Sequence, residues 1–304
     1  EKGIWQVARV DTNGTNKTLS LGSSIQLSNV FGFDASTGIV HYNSSTKAFT
    51  VEPDPEDVPN GEVWKIIPNN YTSYNSIIST ANFPNASYIG SSAFYTCSNL
   101  TTVSFPAAIY IGSSAFAMTK LASANFPSAT ITGSYAFQGC TNLTYLGLRN
   151  LTEAGHNLVT YGNNLTVDFR NTQSLSLNLS SNQLLFASGT GSYLKSCYID
   201  NLKEIPQYMF AFQSGLSILR ASGFARGLDK CTKVGSAAFA GCSAVGFSDI
   251  WLSNCSQIGV TAFAACTHLY GVWIGPNYSL IDHGTFSGCT NLTNLYLAKS
   301  DSIS

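Results

Sequence analysis

Eight cysteines, four histidines and a thin scatter of carboxylates are the residues of this 304-residue chain that could do chemistry. Five cysteines, Cys97, Cys140, Cys242, Cys266 and Cys289, share one position, three residues after a phenylalanine. Such a ladder suits disulfides or a soft metal, or it fills a slot that wants a small buried side chain. Thr119, Gly162 and Gln213 occupy the same slot elsewhere, which favours free buried thiols. Cys197, Cys231 and Cys255 fall outside it, and Cys197 reads as an inward strand residue. No close Cys-x-x-Cys or His-x-x-x-His pair exists, so neither zinc nor any cofactor is expected. His41, His156, His268 and His283 are too scattered for an acid–base team, although Asp282 adjoins His283. A hydrolase would want a strained serine, and no Gly-x-Ser-x-Gly occurs. SGTGSYL (188–194) lacks the spacing of a phosphate loop. Glu52, Asp54, Glu56 and Asp57 could hold calcium, but intervening prolines and the missing loop template favour a solvated linker.

The composition points the same way. Charged residues make up 10% of the chain, against roughly 25% in ordinary domains. Ser, Thr, Asn and Gly supply the polarity, as suits an extracellular β-rich protein. A net charge of −1 provides no field for nucleic acid or anionic lipid. No apolar run reaches the ~18 residues of a spanning helix, so no membrane insertion is expected. Any export signal or anchor segment is expected to lie outside these residues.

What must position the chemistry is a repeat. Residues 89–106 read IGSSAFYTCSNLTTVSFP, 111–127 IGSSAFAMTKLASANFP and 132–148 TGSYAFQGCTNLTYLGL. The pattern returns as VGSAAFAGCSAV (234–245), IGVTAFAACTHLYGVWI (258–274) and IDHGTFSGCTNLTNLYL (281–297). The first apolar strand residues are Ile78, Leu100, Leu121, Leu143, Leu165, Leu194, Leu216, Val245, Leu269 and Leu292, spaced by 21 to 29 residues. Leu-x-x-Val-x-Phe puts its first, fourth and sixth residues on one buried face of a short strand. Phe94, Phe116, Phe137, Phe210, Phe239, Phe263 and Phe286 then form a buried spine, with Val159 in one copy. Gly before each Phe allows a tight turn, and Ser91, Ser92, Ser113 and Ser114 can cap a one-turn helical segment. Asn99, Asn142, Asn164 and Asn291 are placed to bond turn backbone.

This unit, I-G-x-x-A-F-x-x-C-x-N-L, resembles the BspA-like class of leucine-rich repeats over about residues 76–298. The resemblance implies an α/β-type, β-dominated leucine-rich-repeat solenoid: a curved right-handed stack with one parallel sheet. It also implies a surface or secreted location and adhesion to host or microbial proteins or cells. Asp282 and Pro206 at the glycine position, and Val159 for Phe, depart from the pattern.

The expected organisation is a solenoid of about ten coils over 61–304, preceded by a β-rich cap or small β-domain over 1–60. In the latter, GIVHY (38–42) and AFTVE (48–52) read as hairpin strands. VWKIIP (63–68) reads as a divergent first coil matching the strands that end in Phe-Pro. The outward strand column runs Ser104, Asn125, Gly147, Tyr198, Arg220, Trp251, Trp273, Tyr296. Its C-terminal members, Tyr198, Arg220, Trp251, Trp273 and Tyr296, are the candidate ligand-binding residues, with cross-strand packing as the competing reading. The remaining outward charges, Arg149, Arg170, Asp200 and Asp249, read as isolated. Three functions follow: a monomeric, non-catalytic surface module binding a host or microbial protein or glycan; a carbohydrate-active enzyme on a parallel β-helix; or a structural spacer.

Overall fold

A computed structural model describes residues 17–19, 38–43, 48–53, 66–67, 69–161, 164–178, 183–186, 194–219, 228–244 and 248–298. Asp54, Glu56, Asp57, Gly162, Arg220 and Val245 lie outside the described residues. The chain winds as stacked coils, each contributing two short parallel segments.

The Leu-x-x-Val-x-Phe segments form the first ribbon. Its strands are Thr80–Asn82, Thr102–Ser104, Ser123–Asn125, Tyr145–Gly147, Leu165–Asp168, Leu194–Tyr198, Asp249–Leu252, Gly271–Ile274 and Asn294–Leu297. The expected alternation holds: Leu100 and Phe105 are fully buried, Val103 packs on the core, and Thr102 and Ser104 are exposed. The ribbon is not one sheet. Among the described residues its nine strands fall into groups of two, four and three, the first group extended to a five-stranded sheet by Lys17–Leu19, Gly38–Asn43 and Ala48–Pro53. The first break, between Ser104 and Ser123, falls at the shortest coil, where Phe116 stands one residue closer to its strand.

A second ribbon was not anticipated. The residues leading into each Ile-Gly pair as parallel strands: Ile66–Ile67, Tyr88–Ile89, Tyr110–Ile111, Ile131–Thr132, Glu153–Gly155 and Ser176–Asn178. The series resumes from Glu204–Ile205 to Leu280–Ile281. Ile66–Ile67 therefore belongs here, and not with the Phe-Pro strands it resembles in sequence. Gly112 and Gly133 follow these strands, and Gly155 ends one, for a reason other than a turn. A Cβ on any of them would lie within 2.4 Å of a backbone nitrogen of the preceding coil.

Among the described residues there is no helix, so the α component of the expected class is not seen. The Gly-Ser-Ser-Ala-Phe segment is a run of turns. Ser92, Thr96, Ser114 and Met118 have left-handed φ of 54–61°. Alternate amides cross to the next coil (Ser92 to Ser113, Phe94 to Ala115, Thr96 to Ala117) at 2.7–2.8 Å. The intervening amides of Ala93, Tyr95 and Cys97 close local turns. A helix would spend these donors internally; the turn run uses half of them to tie coil to coil.

Between the two ribbons and the turn run lies the core. Phe94, Phe116 and Phe137 stack with centroids 5.2 and 5.5 Å apart, and Phe210, Phe239 and Phe263 at 5.1 and 5.2 Å. Phe286, in the last coil, continues the column and is partly buried. Val159 bridges to Phe186, a spine member hidden from the repeat count because it stands eight residues before Leu194. A second phenylalanine ladder, Phe83, Phe105 and Phe126, interlocks with the first.

All eight cysteines are free thiols. Their slot is not merely apolar. The Sγ atoms of Cys140, Cys242, Cys266 and Cys289 donate to the carbonyls of Phe116, Phe210, Phe239 and Phe263 in the preceding coil, at 3.0–3.2 Å. Gln213 donates likewise to Phe186, and Thr119 to Phe116 of its own coil. The slot therefore selects a buried donor, which Cys, Thr and Gln share. Burial pushes the Cys140 thiol up to about 11, so that thiol is chemically quiet at neutral pH; in the last coil the hydrogen bond with Cys266 lowers the Cys289 thiol instead.

Asn99 and Asn291 bond as expected, to the carbonyls of Ser76 and Thr267 one coil back. Of the N-terminal segment, Gly38–Asn43 and Ala48–Pro53 form an antiparallel hairpin. Its second strand pairs in parallel with Thr80–Asn82.

Candidate functional site

The repeat spends its recurring residues on stacking, so function falls to the outward residues that do not recur. On the first ribbon the register is Asn125, Gly147, Asp168, Tyr198 across one sheet and Trp251, Trp273, Tyr296 across another.

The aromatic members come together as the alternation requires. Trp251 and Trp273 stack at 5.1 Å with planes 29° apart, and Trp273 and Tyr296 at 5.3 Å and 13°. Gly271, two residues before Trp273 on the same face, makes room for the indole, since a Cβ there would be 2.5 Å from the ring tip. Trp251 is 36% exposed and Tyr296 52%. Because the rings cover one another's faces, the column offers a ligand mainly C–H edges and indole N–H groups. Tyr198 is not part of this stack.

Instead, Tyr198 lies in a charged cluster that sequence reading missed. Asp168 stands in the outward column between Gly147 and Tyr198, yet its side chain is fully buried. Its Oδ2 accepts hydrogen bonds from Tyr145 Oη (2.9 Å), Arg149 Nε (2.8 Å) and Arg170 Nη2 (2.7 Å). Its Oδ1 accepts from the backbone N and Nε of Arg170. The Arg170 guanidinium sits 5.6 Å from the centroid of the Tyr198 ring. Arg149 and Arg170, which read as isolated charges, are thus held by one carboxylate.

Burial alone would raise the Asp168 pKa; the hydrogen bonds from Arg170 and Arg149 outweigh it and hold the carboxyl at about 2. A carboxylate whose pKa is lower folded than unfolded stabilises the fold above the unfolded value of 3.8. That contribution, about 2 kcal/mol, is lost as pH falls from about 4 through about 2. Urea midpoints measured between pH 6 and pH 2 should therefore fall at the acid end, and Asp168→Asn should flatten the part of the slope this group causes.

Two other groupings are chemically thinner. Ser134 Oγ meets His156 Nδ1 at 2.9 Å, but the other ring nitrogen faces the Gln183 amide at 3.4 Å. Burial lowers the His156 pKa. His283 and Asp282 form an exposed neighbour pair. Among the described residues no group of three or more His, Cys, Asp or Glu is gathered as a metal would need.

The family comparison agrees with the coil architecture. The model of the BspA type leucine rich repeat region matches in six copies, over residues 65–183 and 185–304. No curated protein matches the sequence. Three solved structures are similar to the chain. A leucine rich cell surface protein from Faecalibacterium prausnitzii is 19% identical with a TM-score of 0.35, over 81% of this chain and 66% of that one. A leucine-rich repeat protein from Bacteroides ovatus is 16% identical with a TM-score of 0.36, over 87% and 94%. The pneumococcal vaccine antigen PcpA is 16% identical with a TM-score of 0.34, over 86% and 87%. The chain thus spans just under two thirds of the Faecalibacterium protein. With the recurring Phe, Gly and Cys positions accounted for by stacking, and with the family model spanning nearly all the coils, the chain belongs to the BspA type leucine rich repeat family.

Proposed function

We propose that the chain is a non-catalytic binding module of an extracellular or cell-surface protein, taking a host or microbial protein or glycan on the face of its first ribbon. The observation that carries this reading is the outward column of Trp251, Trp273 and Tyr296, three large rings side by side with the outer two exposed and Trp273 half-buried between them, on a surface otherwise poor in charge. Aromatic residues at such positions often contribute 2 kcal/mol or more to binding, on the order of 30-fold in affinity. Arg220 joins this proposal on sequence register alone, and Tyr198 joins it through the cluster with Arg170.

Family membership supports the reading, because the repeat commits its recurring side chains to a scaffold. Among the described residues no helix is long and apolar enough to cross a membrane, and the net charge of −1 gives nucleic acid no purchase. In this proposal the chain works as a monomer, without a cofactor. Its first 60 residues act as a cap, supported by the hairpin whose second strand pairs with Thr80–Asn82.

The test is Trp273→Ala against a panel of glycans and extracellular-matrix proteins. Binding by the wild-type chain should weaken about 30-fold in the variant, with the melting temperature little changed because the ring lies outside the core. Unchanged binding, or a large fall in melting temperature, would assign the column to sheet packing and leave the spacer reading standing.

A further inference from the structure

We infer that Arg149 and Arg170 form a preorganised site for the anionic group of an acidic saccharide, carboxylate or sulfate, on the same face of the first ribbon. The inference rests on the sheet-face reading above but uses different residues.

The site is built in layers. Asp168 lies at the bottom with no exposed side-chain surface, and the two guanidinium-bearing side chains lie above it, 41% and 35% exposed. Two cations share one buried anion, so the cluster keeps a net positive charge and presents it outward. Arg149 spends only Nε on the carboxylate, while Arg170 spends Nε and Nη2. Neither has a second carboxylate partner among the described residues. Their remaining N–H groups form the planar fork that suits a carboxylate or sulfate. Asp168 fixes both heads before a ligand arrives, so little side-chain entropy remains to be lost on binding. Without that carboxylate, two neighbouring arginines would repel and splay.

The neighbourhood fits a saccharide better than a peptide. Along the ribbon from Asp168 come Gly147 and Asn125, with Ser123 two residues before Asn125 on the same strand, all small or polar. A Cβ at Gly147 would lie 2.2 Å from Asn125 Oδ1 and 3.1 Å from Tyr145 Oη, so an amide and a hydroxyl converge over this glycine. Next to Asn125 the ribbon parts, and a cavity of about 310 Å³ opens there, lined by Thr102, Ser104, Ser123 and Asn125 among others. Hydroxyl and amide side chains both donate and accept, as sugar hydroxyls do. The strands at the arginine cluster are paired on both sides, so an extended peptide would find no free strand edge to pair with.

The experiment is calorimetric titration of the full chain with four hexamers: oligogalacturonate for carboxylate, a heparin oligosaccharide for sulfate, cello-oligosaccharide as neutral sugar and oligoglutamate as acidic peptide. The expected result is binding of one or both acidic saccharides, tighter than either control, and weakening as salt rises from about 50 to about 300 mM. Arg149→Gln, whose side chain is substantially exposed, should weaken that binding by about tenfold or more, while Lys120→Gln, an exposed charge on another coil, should not. If Arg149→Gln lowers the melting temperature, Arg149→Lys replaces it, since it keeps the charge and removes the fork; weaker binding at unchanged stability supports the site. Failure of both acidic saccharides to bind would overturn the inference. So would preference for oligoglutamate, or equal loss in Arg149→Gln and Lys120→Gln. A ligand lost in Trp273→Ala but kept in Arg149→Gln would sink this inference and leave the sheet-face reading intact.

Discussion

Replacing Phe137 with alanine lowers the unfolding free energy by about 3–5 kcal/mol, more than any surface change on this chain. The ring is fully buried. It stacks on Phe116 at 5.5 Å, meets Phe126 at 5.6 Å and pairs through its backbone with Val159. Alanine would remove the transfer free energy of the ring and leave a cavity walled by three coils. Those walls cannot close, because the backbone hydrogen bonds that tie the coils fix their spacing: Phe116 N to Ala136 O and Phe137 N to Leu158 O are both 2.9 Å. The effect also spreads. In a stack each coil is stabilised only by its neighbours, so a central defect uncouples the two flanks. Urea unfolding should show a lower midpoint for Phe137→Ala and, if the flanks separate, a broader transition. Ile109→Ala, at a half-exposed residue, should stay within about 0.5 kcal/mol of wild type. Equal effects at the two positions would mean that the phenylalanine column is not the core.

Much of this architecture was legible because stacking imposes the same demand on every coil. The spine phenylalanines, the inward Leu-x-x-Val-x-Phe positions and the Trp251–Trp273–Tyr296 column all follow from period and alternation, which a single sequence displays many times. What was not legible breaks the period or depends on a partner in another coil. Asp168 is the clearest case. Four residues on from Leu165 is Phe169, a buried ring, so the column has no outward residue in this coil when counted from its leucine. The strand register pairs Gly147 with Asp168, one residue earlier. A one-residue slip in a strand exchanges inside for outside, and here it hid the carboxylate that joins Arg149 to Arg170. Phe186 was hidden by two extra residues before Leu194 in the same way.

The donor role of the cysteine slot was not legible for a different reason. Cys, Thr and Gln look unlike one another by hydropathy, and their common feature, a donor reaching a phenylalanine carbonyl, appears only when coils stack. The second ribbon escaped because its strands are mostly two or three residues long, too short for alternation to register. The turn run escaped because Gly-Ser-Ser-Ala reads as readily as the start of a helix as it does as successive turns. The helix reading and the turn reading nevertheless disagree sharply about one substitution.

Gly133→Ala separates them by sign. Had residues 133–140 formed a helical turn, alanine for glycine would stabilise it by up to about 1 kcal/mol. In the stacked turns it should destabilise the chain by about 3 kcal/mol or more, at or beyond the upper end of ordinary overpacking. Gly133 does not have a left-handed φ, so alanine suits its backbone conformation and strain there is not the objection. The objection is space: an added methyl would sit 2.4 Å from Ser113 N, 2.6 Å from Ser113 Oγ and 2.8 Å from Ser113 Cα. A flexible side chain could turn away, but the nitrogen and Cα belong to a peptide held in its own ladder. The two coils would have to move apart. That would stretch the bond from Gly133 N to Ile111 O (2.7 Å) and from Ser114 N to Ser134 O (2.9 Å). Gly112 and Gly155 meet the same obstruction, at 2.4 and 2.3 Å from Ser91 N and Ser134 N, so the constraint runs along the stack. Urea unfolding gives the sign, and hydrogen exchange gives the place: the amides of Ser114 and Gly133 should lose protection before those of Phe94 and Phe116. Wild-type stability or better in Gly133→Ala would show that the coils are not in backbone contact at this position, and the turn-run description of this side of the solenoid would have to be abandoned.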